Sequence, residues 1–115
     1  MSDTSKAEVT KSILVEKEAL VSLGRFPENI WMISLADGLF AANNATLPDA
    51  RFINGLACFL SGDEAHLYIE AHPEMSGDPK QWTFNECREI AKSRPVIDAL
   101  LLFVKVKIIE VHFIR

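Results

Sequence analysis

The sequence predicts an α+β fold: a two-layer sandwich in which a mixed sheet of four to five strands carries its helices mainly on one face. Three observations predict it. Capping-box signatures stand at Ser5-x-x-Glu8, Ser61-x-x-Glu64 and Thr83-x-x-Glu86, and each opens an apolar periodic run. Strand-forming runs, bounded by turn dipeptides, fill 30–60 and 99–113. The stretch between 60 and 99 holds two helical patterns, which is long enough to cross between strands of one sheet.

The first segment reads as a helix over about 6–23. Ala7, Val9, Ile13, Leu14, Leu20, Val21 and Leu23 recur at mostly helical spacing and Gly24 closes it, with Lys17 interrupting the stripe. Residues 1–24 are therefore expected as a loosely packed N-terminal helix, and 25–115 as a single α+β domain. Ile30 to Ala36 reads as a strand. Asp37-Gly38 is a two-residue turn signal, because a type I′ turn needs positive φ at both central positions, so Leu39 to Ala42 is expected to return antiparallel. Arg51 to Leu60 is a strand with a bulge or turn expected at Asn54-Gly55; its second half is apolar along most of its length and hence central.

Ser61 caps a helix that runs to about His72 and stops at Pro73. Glu74 to Gln81 reads as a loop. Thr83 caps the next helix, whose buried stripe is Phe84, Cys87, Ile90 and Ala91 and which ends near Arg94, before Pro95. Ala99 to Phe103 is a buried strand. Val104, Val106 and Ile108 then alternate with Lys105 and Lys107, until Ile108-Ile109 breaks the phase in favour of Ile109, Val111 and Phe113. Such a slip means a bulge, a bend or a change of covering surface, since one register step turns every side chain over, and a bend is expected near 104–109, giving two strands or one long bent strand.

Composition narrows the function classes. The chain has 115 residues, 49% of them hydrophobic, and a net charge of −4, with no basic block of the kind that neutralises phosphates. Nucleic acid is not an expected partner. The polar, acidic start does not read as a signal peptide, and no apolar run approaches the length of a membrane span, so a cytoplasmic location is expected. Cys58 and Cys87 lie in apolar runs without CxxC spacing and read as reduced, inert core thiols. No nucleophile elbow, phosphate loop or zinc spacing occurs, and no cofactor is expected.

Two sets of residues are candidates for binding. Asp63, His66 and Glu70 share one helix face at i, i+3 and i+7, a triplet able to ligate a divalent metal, although that face lies opposite Ala65, Tyr68 and Ile69, where an amphipathic helix meets water. His72 falls on the other side, at the helix end. Trp82, expected in a loop beside a helix start, is the candidate ligand-binding aromatic, with a staple against the following helix as its structural alternative.

The order LACFLS, DEAHLYIEA and then TFNECREIAKSRPVIDALLLF, over residues 56–103, resembles that of SseB-like domains, in which an apolar strand leads into an acidic helix and a later helix precedes a buried strand. The likeness covers less than half of the chain. Phe103-Val104-Lys105 departs from that pattern, lacking its Asn-Pro-type turn. The resemblance implies an α/β domain that acts through protein contacts without a known catalytic site, and it assigns no functional residue.

The expected function is thus a non-enzymatic protein-interaction or regulatory module. The alternative is a small-ligand or metal-binding domain. The apolar surplus points to a homodimer formed through an exposed sheet face or the last strand, by Val104, Val106, Ile109, Val111 and Phe113.

Overall fold

A computed structural model describes residues 26–115 in full, together with the backbone of 8–14 and 20–21. The strands are β1 (Glu8–Leu14), β2 (Leu20–Val21), β3 (Asn29–Ser34), β4 (Ala41–Thr46), β5 (Phe52–Phe59), β6 (Asp78–Thr83), β7 (Ala99–Val104) and β8 (Lys107–Phe113). The helices are α1 (Gly62–Ala71) and α2 (Phe84–Lys92). The expected α+β sandwich on a mixed sheet is what the chain forms. The sheet is larger than four or five strands: six follow one path, β1-β4-β5-β7-β8-β2, and β3 joins β5 at Trp31 and Phe59 while pairing along its length with β6.

β5 is central because both of its faces are apolar. Its alternate residues enter two separate cores. Ile53, Ala57 and Phe59 join Leu101 and Phe103 of β7 and Ala65 and Tyr68 of α1. Leu56 and Cys58 join Leu100 and Leu102 of β7 and Cys87 and Ala91 of α2. Period-2 alternation against helices on either side produces this division. The helices were expected mainly on one face; instead each takes its own, since the sheet has no polar face to leave wet.

Local signals set the helix boundaries. Ser61 Oγ accepts from Glu64 N at 3.2 Å, and α1 ends before Pro73. At α2 the capping box is complete: Thr83 Oγ1 accepts from Glu86 N at 3.1 Å and Glu86 Oε1 from Thr83 N at 2.9 Å. The stripe of Phe84, Cys87, Ile90 and Ala91 meets the sheet as expected.

Other expectations are corrected. The described parts of 6–23 are strands, not a helix: β1 lies parallel to β4 and β2 parallel to β8. The edges of β4 and β8 offer unpaired backbone groups, and pairing them outweighs helical spacing in the sequence; the rest of 6–23 lies outside the described residues. The Asp37-Gly38 turn forms, with φ of 61° and 76°, and Leu39 N bonds to Ala36 O at 3.2 Å. It closes only the Ser34–Phe40 bridge before the strands diverge to other partners. No turn or bulge is present at Asn54-Gly55. Gly55 is there for space: a Cβ would lie 2.5 Å from Leu101 Cγ and 3.0 Å from Ala99 O. The expected loop at Glu74 to Gln81 holds a 3-10 turn (Pro73–Met75) and most of β6. The phase slip at Ile108-Ile109 is a bulge: Phe103 faces Ile108 and Leu102 faces Glu110, leaving Ile109 unmatched.

β6 shows how a proline is accommodated in a strand. Phe84 N donates to Glu28 O, so Trp82, Lys80 and Asp78 bond to β3, and the backbone nitrogens of Thr83, Gln81 and Pro79 face outward. Pro79 has no N–H and Thr83 N is taken by Glu86, so this edge offers little to another strand.

Two turns use residues that resist their conformation. Ala50, at φ 75°, closes the Leu47–Arg51 hairpin loop after Pro48-Asp49, where glycine is favoured, and the β7–β8 turn places Lys105 and the β-branched Val106 at φ 52° and 65°. We expect Ala50→Gly and Val106→Gly each to raise stability by about 0.5–1 kcal/mol through relief of this strain, measured by urea denaturation. Gly55→Ala is expected to cost about 1–3 kcal/mol as overpacking against Leu101.

Candidate functional site

The sequence-derived metal candidates stay on the outside. Asp63, His66 and Glu70 are exposed on α1, and among the described residues no three of His, Cys, Asp and Glu stand together as a group able to hold a metal ion. The opposite face of α1 enters the core through Ala65 and Tyr68, and the Tyr68 hydroxyl donates to Asn43 Oδ1, a buried side chain of β4. His72 lies against the Tyr68 ring at 4.7 Å and 3.9 Å from Glu74 Oε2.

Trp82 is part of β6 rather than a loop. Half-buried, it meets Phe40 edge-on at 5.6 Å and packs against the core that contains Cys87, as a staple would. Burial pushes both thiols up, that of Cys87 to about 12, with Glu86 adding to it, so both stay protonated and inert at neutral pH.

Of the five residues expected to carry a dimer contact, Ile109 is exposed, Val104, Val106 and Phe113 are half-buried, and Val111 is wholly buried. β2 pairs with Glu110 and Val111 on the outer edge of β8, so that part of the last strand is already covered by its own chain.

Aromatic exposure is greatest elsewhere. Phe52, the first residue of β5, is 70% exposed, a large apolar surface left in water. It lines an open cleft of about 260 Å³ at the end of the sheet with Arg51, Ile53, Asp98, Phe113 and Arg115. The cleft exists because β7 starts late: its first residue, Ala99, pairs with Gly55, so β5 runs three residues further without β7 beside it.

Each wall of the cleft is held by the fold. Asp49 accepts from Arg51 N at 3.1 Å and from Arg51 Nε at 3.0 Å, and these bonds hold its carboxyl below the usual carboxylate range. The Arg51 guanidinium lies over the Phe113 ring, 5.5 Å from its centroid. Asp98 accepts from Asn54 N at 3.0 Å. Arg115 donates from Nε to Ile97 O at 2.8 Å and from Nη2 to Arg94 O at 2.8 Å and Ala91 O at 3.2 Å, satisfying carbonyls at the end of α2. Arg115 is thus a structural wall, whereas Arg51 and Phe52 face outward.

No motif or spacing in the sequence points to this cleft. Phe52 sits in a strand pattern where core is the default for an aromatic, and Arg51 flanks it without a motif. Only Pro48-Asp49, a hairpin signal just before β5, bears on it. No family model, curated protein or solved structure matches this chain. Among the described residues, no helix is long and apolar enough to cross a membrane.

A second region has a titratable group in an apolar setting. His112 packs edge-on to Phe84 at 5.1 Å and near Phe26 at 5.8 Å. Burial lowers its pKa below 6.5, and the Arg88 charge lowers it further. The unfolded chain then binds the proton more readily than the folded one. The stability this contributes is present above pH 6.5 and is lost as the pH falls below it. Urea midpoints measured between pH 7.5 and 5 are expected to fall in the wild type and to fall less in His112→Gln.

Proposed function

We propose that this chain is a non-enzymatic protein-interaction module whose contact site is the cleft bearing Arg51 and Phe52. The observation that carries this reading is the exposure of Phe52: among the described residues every other Phe, Trp and Tyr is buried or half-buried, and this ring is left 70% open. The residue before it is an arginine stacked on a second aromatic that lines the same cleft. Aromatic and arginine side chains dominate the energetics of protein interfaces, because each provides a large contact area at a small entropic cost. The positions are also prearranged: Asp49 and Phe113 restrict Arg51, and strand pairing holds Phe52. The protein-contact role implied by the SseB-like order of elements is in keeping with this.

Affinity capture from the native host tests the proposal, with wild type and Phe52→Asp as paired baits. Phe52 is exposed, so the variant is expected to match the wild type in stability to within about 0.5 kcal/mol and to lose at least one partner that the wild type retains. Identical partner sets for the two baits would sink the reading.

A further inference from the structure

The reading of the cleft as a contact site leaves open what it holds, and the backbone phase of β5 bears on that. Leu47 N donates to Arg51 O at 2.8 Å, so the backbone groups of Arg51 face β4, as do those of Ile53 and Gly55 two and four residues on. Asn54 faces the other way: its N–H donates to Asp98 Oδ2 at 3.0 Å and its carbonyl accepts from Asp98 N at 2.7 Å. Phe52 has the phase of Asn54. Its N–H and C=O therefore point to the side where β7 has not yet begun, into the cleft, and no described strand pairs with them there.

Arg51 supplies the second element. Its Nε is bound to Asp49, its ion-pair partner, and its plane rests on Phe113, while its two terminal amino groups make no hydrogen bond among the described residues. A guanidinium held in this way presents a fork that matches a carboxylate. The other charged groups are committed: Arg115 to the carbonyls near the end of α2, and Asp98 to Asn54.

An open strand position, a free guanidinium fork and an exposed ring together describe one kind of ligand. We propose that the cleft takes the C-terminal end of an extended peptide. Its backbone adds beside Phe52, its terminal carboxylate meets Arg51, and its last, apolar side chain lies on the Phe52 ring. A terminal carboxylate is preferred to an acidic side chain because it lies in line with a backbone paired at Phe52. Asp98, on the other side of the cleft, disfavours acidic residues further up the peptide.

The test is a titration of isotope-labelled protein, followed by amide and arginine side-chain resonances. The probes are a five-residue peptide ending in phenylalanine with a free carboxylate, the same peptide amidated, and an amidated peptide carrying an internal aspartate. The free acid is expected to move resonances of Arg51, Phe52, Asp98 and Phe113. Amidation, or Arg51→Gln with the rest of the spectrum unchanged, is expected to weaken binding about tenfold or more, the worth of a charge-assisted pair. Equal binding of acid and amide, or no shift in the cleft at millimolar peptide, would overturn the inference. Binding of the aspartate peptide as tightly as the free acid would also overturn it, by assigning the fork to side-chain acids. These outcomes leave the paired capture with Phe52→Asp standing or falling on its own result.

Discussion

The structure depends on one constraint: β5 and β7 must be dry on both faces. Neither strand has a polar alternation that would suit a solvated side, and the two lie parallel, with Gly55 next to Ala99 and Cys58 next to Leu102. A parallel pair of this kind is normally buried between helices. Once that is required, the chain needs a cover on each face, and the segment between Phe59 and Ala99 supplies both. α1 closes one face immediately after β5, and α2 closes the other just before β7. β6 lies between the helices and carries the chain from one layer to the other along β3.

Close approach of the layers sets the finer choices. Gly55 admits Leu101 to the α1-side core, and Ala41, Ala45, Ala57 and Ala99 on that face are small enough for the large rings of Phe59, Phe103 and Tyr68 to fill the rest. Those rings meet at centroid distances of 5.1 to 5.8 Å, largely edge-on or tilted, as aromatic quadrupoles prefer. The polar pair of Tyr68 and Asn43 lies inside the same core. Its hydrogen bond fixes how α1 sits over β4, a geometry that apolar packing alone specifies poorly.

How much of this could be read in the sequence follows from how local each signal is. Ser61, Thr83 and Glu86 act within one helical turn, so both central helices were legible, as was the turn at Asp37-Gly38; near Ile108-Ile109 the broken phase showed an irregularity, where the chain has a tight turn at Lys105-Val106 and a bulge rather than the expected bend. Pairing partners are not local. Nothing in Ile30 to Ser34 indicates that its mate is Asp78–Thr83, and Pro79 argues against a strand until its nitrogen, which has no hydrogen to donate, is seen to face outward. The N-terminal residues show the same limit from the other side. Val9, Ile13, Leu14, Leu20 and Val21 fit helical spacing, yet the vacant edges of β4 and β8 decide their conformation. The candidate site was hidden for a related reason. Phe52 differs from the buried aromatics only in that β7 begins three residues too late to help cover it, and that offset is set by a register between strands more than forty residues apart.

Asp49 joins the stability of the fold to the posture of the cleft. One of its oxygens accepts from the backbone of Arg51 and helps close the loop between β4 and β5; the other accepts from the Arg51 side chain and turns the guanidinium over Phe113. The loop pays for this with Ala50 in a left-handed conformation that an L residue adopts reluctantly. A glycine there would relax the loop but widen the range of backbone angles next to Arg51. The chain instead keeps a stiffer residue between the carboxylate and the guanidinium it positions. A pair this exposed contributes little to overall stability. Its physical effect is to restrict one charged side chain before anything binds, which lowers the entropy lost when a partner arrives.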